Sequence, residues 1–559
     1  MTRLLTFLAV LLLSLASSPP ARGEELSRRW VYLQLNLQVE ANVAKAEGIA
    51  KRAKAAGYNG IVLADYKLNI LDRVPQHYFR NAEQFIKTCR ELDLEIIPAV
   101  CPIGYSDGLL AHNPNLAEGL PVQDAEFVVD GGEAALAAHG KNLLAGGEFE
   151  TFKGDTAAGW NYQDFPGEAS FVDHAVKHGG KSSLRFQQLG GKNGRLIHKL
   201  KVKPHQLLHA SVWIKTDDFT TANDLRMMAI GTDGRTLSFS NLGAKQSQDW
   251  TQHHVMLNTL GNEEINFYVG CWGGQEGRFW LDDVRLEEAA FVNLIRRDAC
   301  PLVVRTASGR VLQEGTDFAP LADPKLGNVP YAGSFNVFHE APALKILPAA
   351  KLPNGERLLV SYYHTVTIYD NQVTCCLADP EVFRVLTQQI AAVEKLFQPR
   401  TYFLSHDEIR VADWCPACHR TGQTAGDLLA ENVRHCVKVV RSINPQAKLC
   451  IWSDMFDPYH NAHEKFYLVQ GDLAGSWEGL PQEMIVVNWN HGQAAKSLPF
   501  FGERGHEQVL AGYYDSDPAN IRGWLQTGAK TRGVNGAMYT TWTGNFDHLE
   551  AFAKAASGK

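Results

Sequence analysis

The chain has 559 residues, 45% of them hydrophobic and 21% charged, with a formal net charge of −7. That is longer than one ordinary domain needs, and the apolar content is ample for a packed core. Charges of both signs are spread along the chain without a polybasic block, which argues against a nucleic-acid partner.

Residues 1–23 read as a secretory signal peptide, with Arg3 as a basic start, an apolar run over 4–15, then small residues and prolines. The mature protein is therefore expected to be secreted or periplasmic. No later apolar run is long enough to span a bilayer. Export permits disulfides, so a few bridges among the ten cysteines are allowed. Twelve tryptophans suit flat apolar ligands such as sugar rings, although tryptophan also fills cores.

In chain order, "WVYLQLNL" (30–37) reads as a buried strand. A helix follows with Ala46, Ile49, Ala50 and Ala53 on one face, stopped by Gly57. "GIVLADY" (60–66) is a second strand, Phe79, Ala82, Phe85, Ile86, Cys89 and Leu92 mark a second helix, and "LEIIPAV" (94–100) is a third strand. Apolar strands alternating with helices imply a covered parallel sheet. The pattern then breaks. Residues 141–289 read as a β-sandwich of short alternating strands with Gly, Asn and Asp turns, and 291–371 as an additional β-rich segment. Alternation returns over 372–559. Asp379-Pro380 starts a helix, and strands follow at "TYFLS" (401–405), "KLCIWSD" (448–454), "MIVVNWN" (484–490), "QVLAGYYD" (508–515) and "GAMYTTW" (536–542). Eight parallel strands separated by helical segments indicate a (β/α)8 barrel, its first part over 30–124, interrupted after strand three by the all-β insertion. No Gly-rich phosphate turn follows the first strand, which disfavours a doubly wound sheet.

The chemistry concentrates at strand ends. Asp407 and Glu408 end strand four, Trp452 and Asp454 strand five, Trp489 and Asn490 strand six, Tyr514 strand seven and Trp542 strand eight. Strand C-terminal ends are where barrels carry active sites. Two carboxylates sharing one cleft drive their pKa values apart, leaving one acid and one anion, the division of labour that glycoside cleavage uses. Tryptophans beside polar residues suit a sugar's apolar face and its hydroxyls. His406 is read either as a further substrate contact that could tune Asp407 or as a strand-end packing residue, and Arg410 either pairs with one of the acids or is solvated.

This constellation resembles family-20 glycoside hydrolases, the β-N-acetylhexosaminidases, over residues 30–124 and 372–556. The resemblance implies substrate-assisted catalysis, in which the sugar's 2-acetamido oxygen attacks the anomeric carbon. By that resemblance Asp407 orients the acetamido group and Glu408 is the acid, then the base. Trp452, Trp489 and Trp542 would wall the pocket, and Tyr514 would donate to the acetamide oxygen. Ser405-His406 stand where the family usually has two glycines, and "YLQLNLQ" lacks its strand-one arginine, for which Lys67 is a candidate substitute. The segments "KNLLAGGEFE", "HASVWIKT" and "FWLDDVRLEE" resemble jelly-roll carbohydrate-binding modules, a group that often holds a structural calcium, with Asp282 a possible ligand.

The implied partner is an oligosaccharide or polysaccharide. No cofactor and no catalytic metal is expected. "CPACH" (415–419) is weighed as a disulfide or packed thiols, a zinc site with Cys436 as a further ligand, or a haem attachment. Two other readings stay open: a glycosidase of another specificity with a protein carboxylate nucleophile such as Asp454, and a non-catalytic carbohydrate-binding protein.

Overall fold

The eight barrel segments close on themselves in the computed structural model, which describes residues 26–369, 371–420 and 422–557. The signal-peptide reading falls on residues outside these. The strands are Arg28–Leu33, Gly60–Leu63, Glu95–Val100, Thr401–Leu404, Lys448–Trp452, Ile485–Asn488, Gln508–Tyr513 and Val534–Thr540, joined in that order. Every neighbouring pair is parallel, and the last strand pairs with the first.

Alternation along each strand decides which side chains fill the barrel. Trp30, Tyr32, Val62, Ile97, Phe403, Cys450, Trp452, Ile485, Val487, Val509 and Met538 pack inside. The intervening residues, such as Val31, Ile61, Tyr402, Leu404, Ile451 and Val486, face the surrounding helices. Buried on both sides, the strands read as continuous apolar runs.

Helix boundaries follow local chemistry. Helix Glu40–Ala55 is closed by Gly57 at φ +93°, a conformation that glycine adopts without steric cost. Helix Pro380–Phe397 starts with proline at its first turn, and the Asp379 side chain accepts the Glu381 N–H at 2.9 Å. Helix Ala425–Ile443 opens with a capping box between Thr424 and Asp427.

The structure departs from the sequence reading at the fifth connection. Between strands five and six there are only the short 3-10 turns Asp454–Phe456 and Ser476–Gly479 and the two-residue strand Leu468–Val469. The segment is dense in Gly, Pro, Asp and His and lacks a helical apolar stripe. The regular (β/α)8 alternation is therefore incomplete there.

The insertion contains two antiparallel five-stranded sheets and a third, seven-stranded sheet. The two five-stranded sheets lie within residues 162–288. The third has an unexpected membership. Leu120–Asp130, which begins inside the stretch read as barrel, pairs antiparallel with Arg357–His364. The outgoing and returning chains of the insertion thus run side by side, so the barrel accommodates the insertion without separating its third and fourth strands, which pair directly. No helix among the described residues is long and apolar enough to cross a membrane.

Candidate active site

A cavity of about 620 Å³ opens at the C-terminal end of the barrel. Asp407 and Glu408 both line it, with Trp452, Trp489, Trp542 and Tyr514. The fourth strand ends at Leu404, and Glu408 adopts φ +50°, so the chain turns instead of continuing a pleat. That turn lets two adjacent side chains enter one space, at a backbone cost of about 1–3 kcal/mol. The loop after strand three packs tightly on this turn. A Cβ on Gly104 would lie 1.8 Å from the Asp407 carbonyl oxygen, so only glycine fits.

The two carboxylates meet different surroundings. Glu408 Oε1 lies 2.6 Å from Arg410 Nη2, and the Tyr105 hydroxyl donates to Oε2. Arg410 is buried and donates to Gln372 Oε1 at 2.5 Å, and its guanidinium lies over the Tyr369 ring at 4.3 Å. Gln372 Nε2 donates in turn to the carbonyls of Glu408 and Gly104. The arginine is therefore an ion-pair partner of Glu408, not a solvated side chain. Burial, and then the charges of Asp454 and Glu408, push the Asp407 carboxyl up to about 8.

Asp454 stands behind the cavity wall. It is fully buried, its Oδ2 accepts the Glu408 N–H at 2.8 Å and the Asn461 amide at 2.9 Å, and its Oδ1 accepts the Trp489 indole N–H at 3.3 Å. Burial pushes it up to about 7. Asp454 is absent from the cavity lining, and its oxygens hold the acid turn and a wall tryptophan, so it supports the site from behind and does not contact substrate.

The aromatic wall is built from successive strand ends. Trp452 is the buried floor, 5.5 Å from Tyr32 between ring centroids. Trp489 stacks on Tyr514 at 6.0 Å with 6° between planes. Trp542, 44% exposed, stands at the rim with its ring 5.3 Å from Tyr32. Asp515 fixes the rim by accepting from the Trp542 and Thr543 N–H groups and from the Thr541 and Thr543 hydroxyls. Tyr513, Tyr514 and Asp515 all have positive φ, at 75°, 50° and 54°, and this turn delivers the Tyr514 ring into the cavity. The Tyr514 hydroxyl is buried with no hydrogen-bond partner among the described residues. Burial and the charges of Asp454 and Asp407 push it well above the ordinary tyrosine range, so it remains a donor.

Besides Asp454, three further sequence readings are settled against the cavity. His406 is fully buried, and its Nε2 meets Asn432 Oδ1 at 3.1 Å on the helix side of strand four, the opposite face from the cavity. Asn490 is outside the lining and donates to the Tyr459 carbonyl at 2.9 Å. Lys67 lies over the Tyr66 ring at 5.2 Å, and Gln34 occupies the strand-one end of the cavity. Sequence reasoning missed Tyr32, Gln34, Tyr66, Asn69, Tyr105, Asp107 and Tyr369, all of which line the cavity. Tyr105 and Asp107 follow strand three in "PIGYSDG", where the strand-end rule pointed.

Elsewhere, all ten cysteines are buried and unbridged. Cys415 and Cys418 lie beside Cys376 and Glu118, whereas His419 turns to Asp413 at 3.4 Å. Cys436 instead contacts Cys101 and His406. In the sandwich, both Asp282 oxygens accept backbone N–H groups, from His178, Gly179 and Asp283. Its carboxylate is engaged by the chain itself.

No protein-family model matches the sequence. No curated protein matches it either. Solved structures similar to parts of it include a family 16 carbohydrate-binding module, 20% identical, covering 26% of this chain and 99% of that one, with a TM-score of 0.20. A chitobiase from Flavobacterium johnsoniae is 18% identical over 33% of this chain and 30% of its own, with a TM-score of 0.25. A rhamnosidase from Novosphingobium sp. PP1Y is 12% identical, covers 95% of this chain and 59% of its own, and has a TM-score of 0.32. Likeness at this level leaves the function to be argued from the site.

Proposed function

We infer that this chain is a secreted or periplasmic glycoside hydrolase acting on N-acetylhexosamine-containing glycans by substrate-assisted, retaining catalysis. The observation that carries the reading is the joint opening of Asp407 and Glu408 into one cavity walled by Trp452, Trp489, Trp542 and Tyr514. The rings supply a flat apolar surface for a pyranose, and the acids supply proton transfer and charge stabilisation. Asp407, half-buried in the cavity wall and holding its proton up to about pH 8 before substrate binds, would give that proton up as the oxazolinium forms, accept the acetamide N–H and face the positive charge. Tyr514 is a donor without a protein acceptor, suited to the acetamide oxygen. Glu408 donates a proton to the leaving oxygen and then activates water. Its Arg410 and Tyr105 partners orient the carboxyl. The inserted sandwich is read as a carbohydrate-binding-like module beside the barrel.

The absence of Asp454 from the cavity lining favours the substrate's own oxygen as nucleophile over this carboxylate. The test is hydrolysis of chromogenic N-acetyl-β-hexosaminides by the wild type, by Glu408→Gln and by Asp407→Asn. Turnover in the wild type, loss in both variants and inhibition by a cyclic thiazoline mimic of the oxazolinium support the mechanism. A covalent adduct with a 2-fluoro sugar, or glycan binding without turnover across a broad substrate panel, would overturn it.

A further inference from the structure

Glu118, Cys376, Cys415 and Cys418 converge at the root of the insertion, all fully buried, with their ligand atoms within 4.8 Å of one another. Among the described residues this is the group of His, Cys, Asp and Glu arranged to hold a metal ion. We propose that these four residues bind one structural zinc ion, which ties the insertion to the loop that follows the acid pair.

The spacing fits. Cys376 Sγ lies 3.2 Å from Cys418 Sγ and 3.6 Å from Cys415 Sγ, and Cys418 Sγ lies 3.3 Å from Glu118 Oε2. Zinc–sulfur bonds of about 2.3 Å and a zinc–oxygen bond of about 2.0 Å set tetrahedral edges of about 3.8 Å between sulfurs and about 3.5 Å between sulfur and oxygen. The sulfurs stand well beyond a disulfide bond of about 2.05 Å.

The surroundings fit as well. Glu118 Oε1 accepts the N–H groups of Trp414 and Cys415 at 2.8 and 2.9 Å, which aims the other oxygen at the sulfurs. Three thiolates and a carboxylate around a dication leave a net negative cluster, and Arg297 sits against it, with Nη2 3.1 Å from Cys415 Sγ. Cys300 hydrogen-bonds Cys415 and stands outside the four as a supporting thiol. With four protein ligands and full burial, the site is closed, as in structural rather than catalytic zinc centres.

The position gives the ion its role. Glu118 precedes the outgoing strand Leu120–Asp130, Cys376 follows the return, and Cys415 and Cys418 follow Glu408 and Arg410 in the loop after strand four. The outgoing and returning segments already meet through the Ala117–Cys375 bridge, and one ion would clamp the loop after strand four to that pair.

The test uses the mature full-length protein, produced in zinc-supplemented medium and purified without chelator. The expected result is about one zinc per chain by elemental analysis. Exchange with cobalt should give the visible bands of a tetrahedral site and thiolate charge transfer. Cys418→Ser and Glu118→Gln should lose zinc, and Cys89→Ser, on a distant helix, should keep it. A chelator should lower the melting temperature of the wild type. Absence of both zinc and the cobalt bands, a Cys376–Cys418 disulfide in a non-reducing peptide map, iron in place of zinc, or full zinc in both cluster variants would each overturn the proposal. Should the variants fail to fold, the wild-type metal content and cobalt spectrum decide alone.

Discussion

Asp407→Asn separates stability from catalysis at one atom pair. The Asp407 carboxyl is pushed up to about 8, first by burial and then by Asp454 and Glu408, with Arg410 opposing. In the unfolded chain it titrates as an ordinary carboxyl, at about 3.9. The native state therefore holds this proton over a pH range in which the unfolded state has lost it, so stability falls as pH rises between the two values. At about 1.4 kcal/mol per pH unit, the ceiling is about 6 kcal/mol above pH 8. Water in the open cavity screens this to about 2–3 kcal/mol. Asparagine carries no charge at any pH and removes the penalty. Melting temperatures of wild type and variant should coincide near pH 4, diverge as pH rises, and level off above about pH 8 with the variant the more stable. The same variant should lose most hydrolysis. Parallel melting curves from about pH 4 to about pH 9 would refute the raised pKa of Asp407 and the desolvation and carboxylate repulsion it is ascribed to.

Other outcomes follow from the same geometry. Glu408→Gln should lower kcat by about 10²–10⁴-fold and, by leaving the buried Arg410 without its carboxylate, cost about 3 kcal/mol of stability, checked by steady-state kinetics and calorimetry. Tyr514→Phe removes a buried hydroxyl without a protein partner, so stability should hold or rise by about 1 kcal/mol, while kcat/KM falls by about 10²-fold if it serves the acetamide oxygen. Arg410→Met leaves Glu408, Gln372 Oε1 and Tyr105 without their common donor and should cost about 3 kcal/mol in denaturant unfolding. Gly104→Ala places a methyl on the Asp407 carbonyl and should impair folding or activity, whereas Gly57→Ala, with open space around its Cβ and only its positive φ at stake, should cost about 1 kcal/mol.

Strand ends carried most of what could be read of the site. Alternating apolar runs specify which residues face the barrel interior, and the residues just past each run fall at its mouth. That logic placed Asp407, Glu408, Trp452, Trp489, Tyr514 and Trp542 around one cavity. It failed for His406 and Asn490 because a one-residue step in a strand or turn reverses the side chain, and a sequence does not announce where a strand stops. The fourth strand stops at Leu404, and the positive φ of Glu408 marks the turn beyond it.

The sequence by itself determined the strand and helix periodicities, the interruption, and the carboxylate pair at the end of the fourth strand, since these depend on local spacing and turn chemistry. Only the tertiary structure decided what depends on distant residues meeting. It brought Arg410, Tyr105 and Gln372 onto Glu408, set Asp454 behind the acid turn, and joined Leu120–Asp130 to Arg357–His364. It also gathered Glu118 and Cys376 with the "CPAC" thiols across an insertion of more than 200 residues. Such contacts close loops too long for any local pattern to encode, and their partners are chosen by packing and charge compensation in three dimensions.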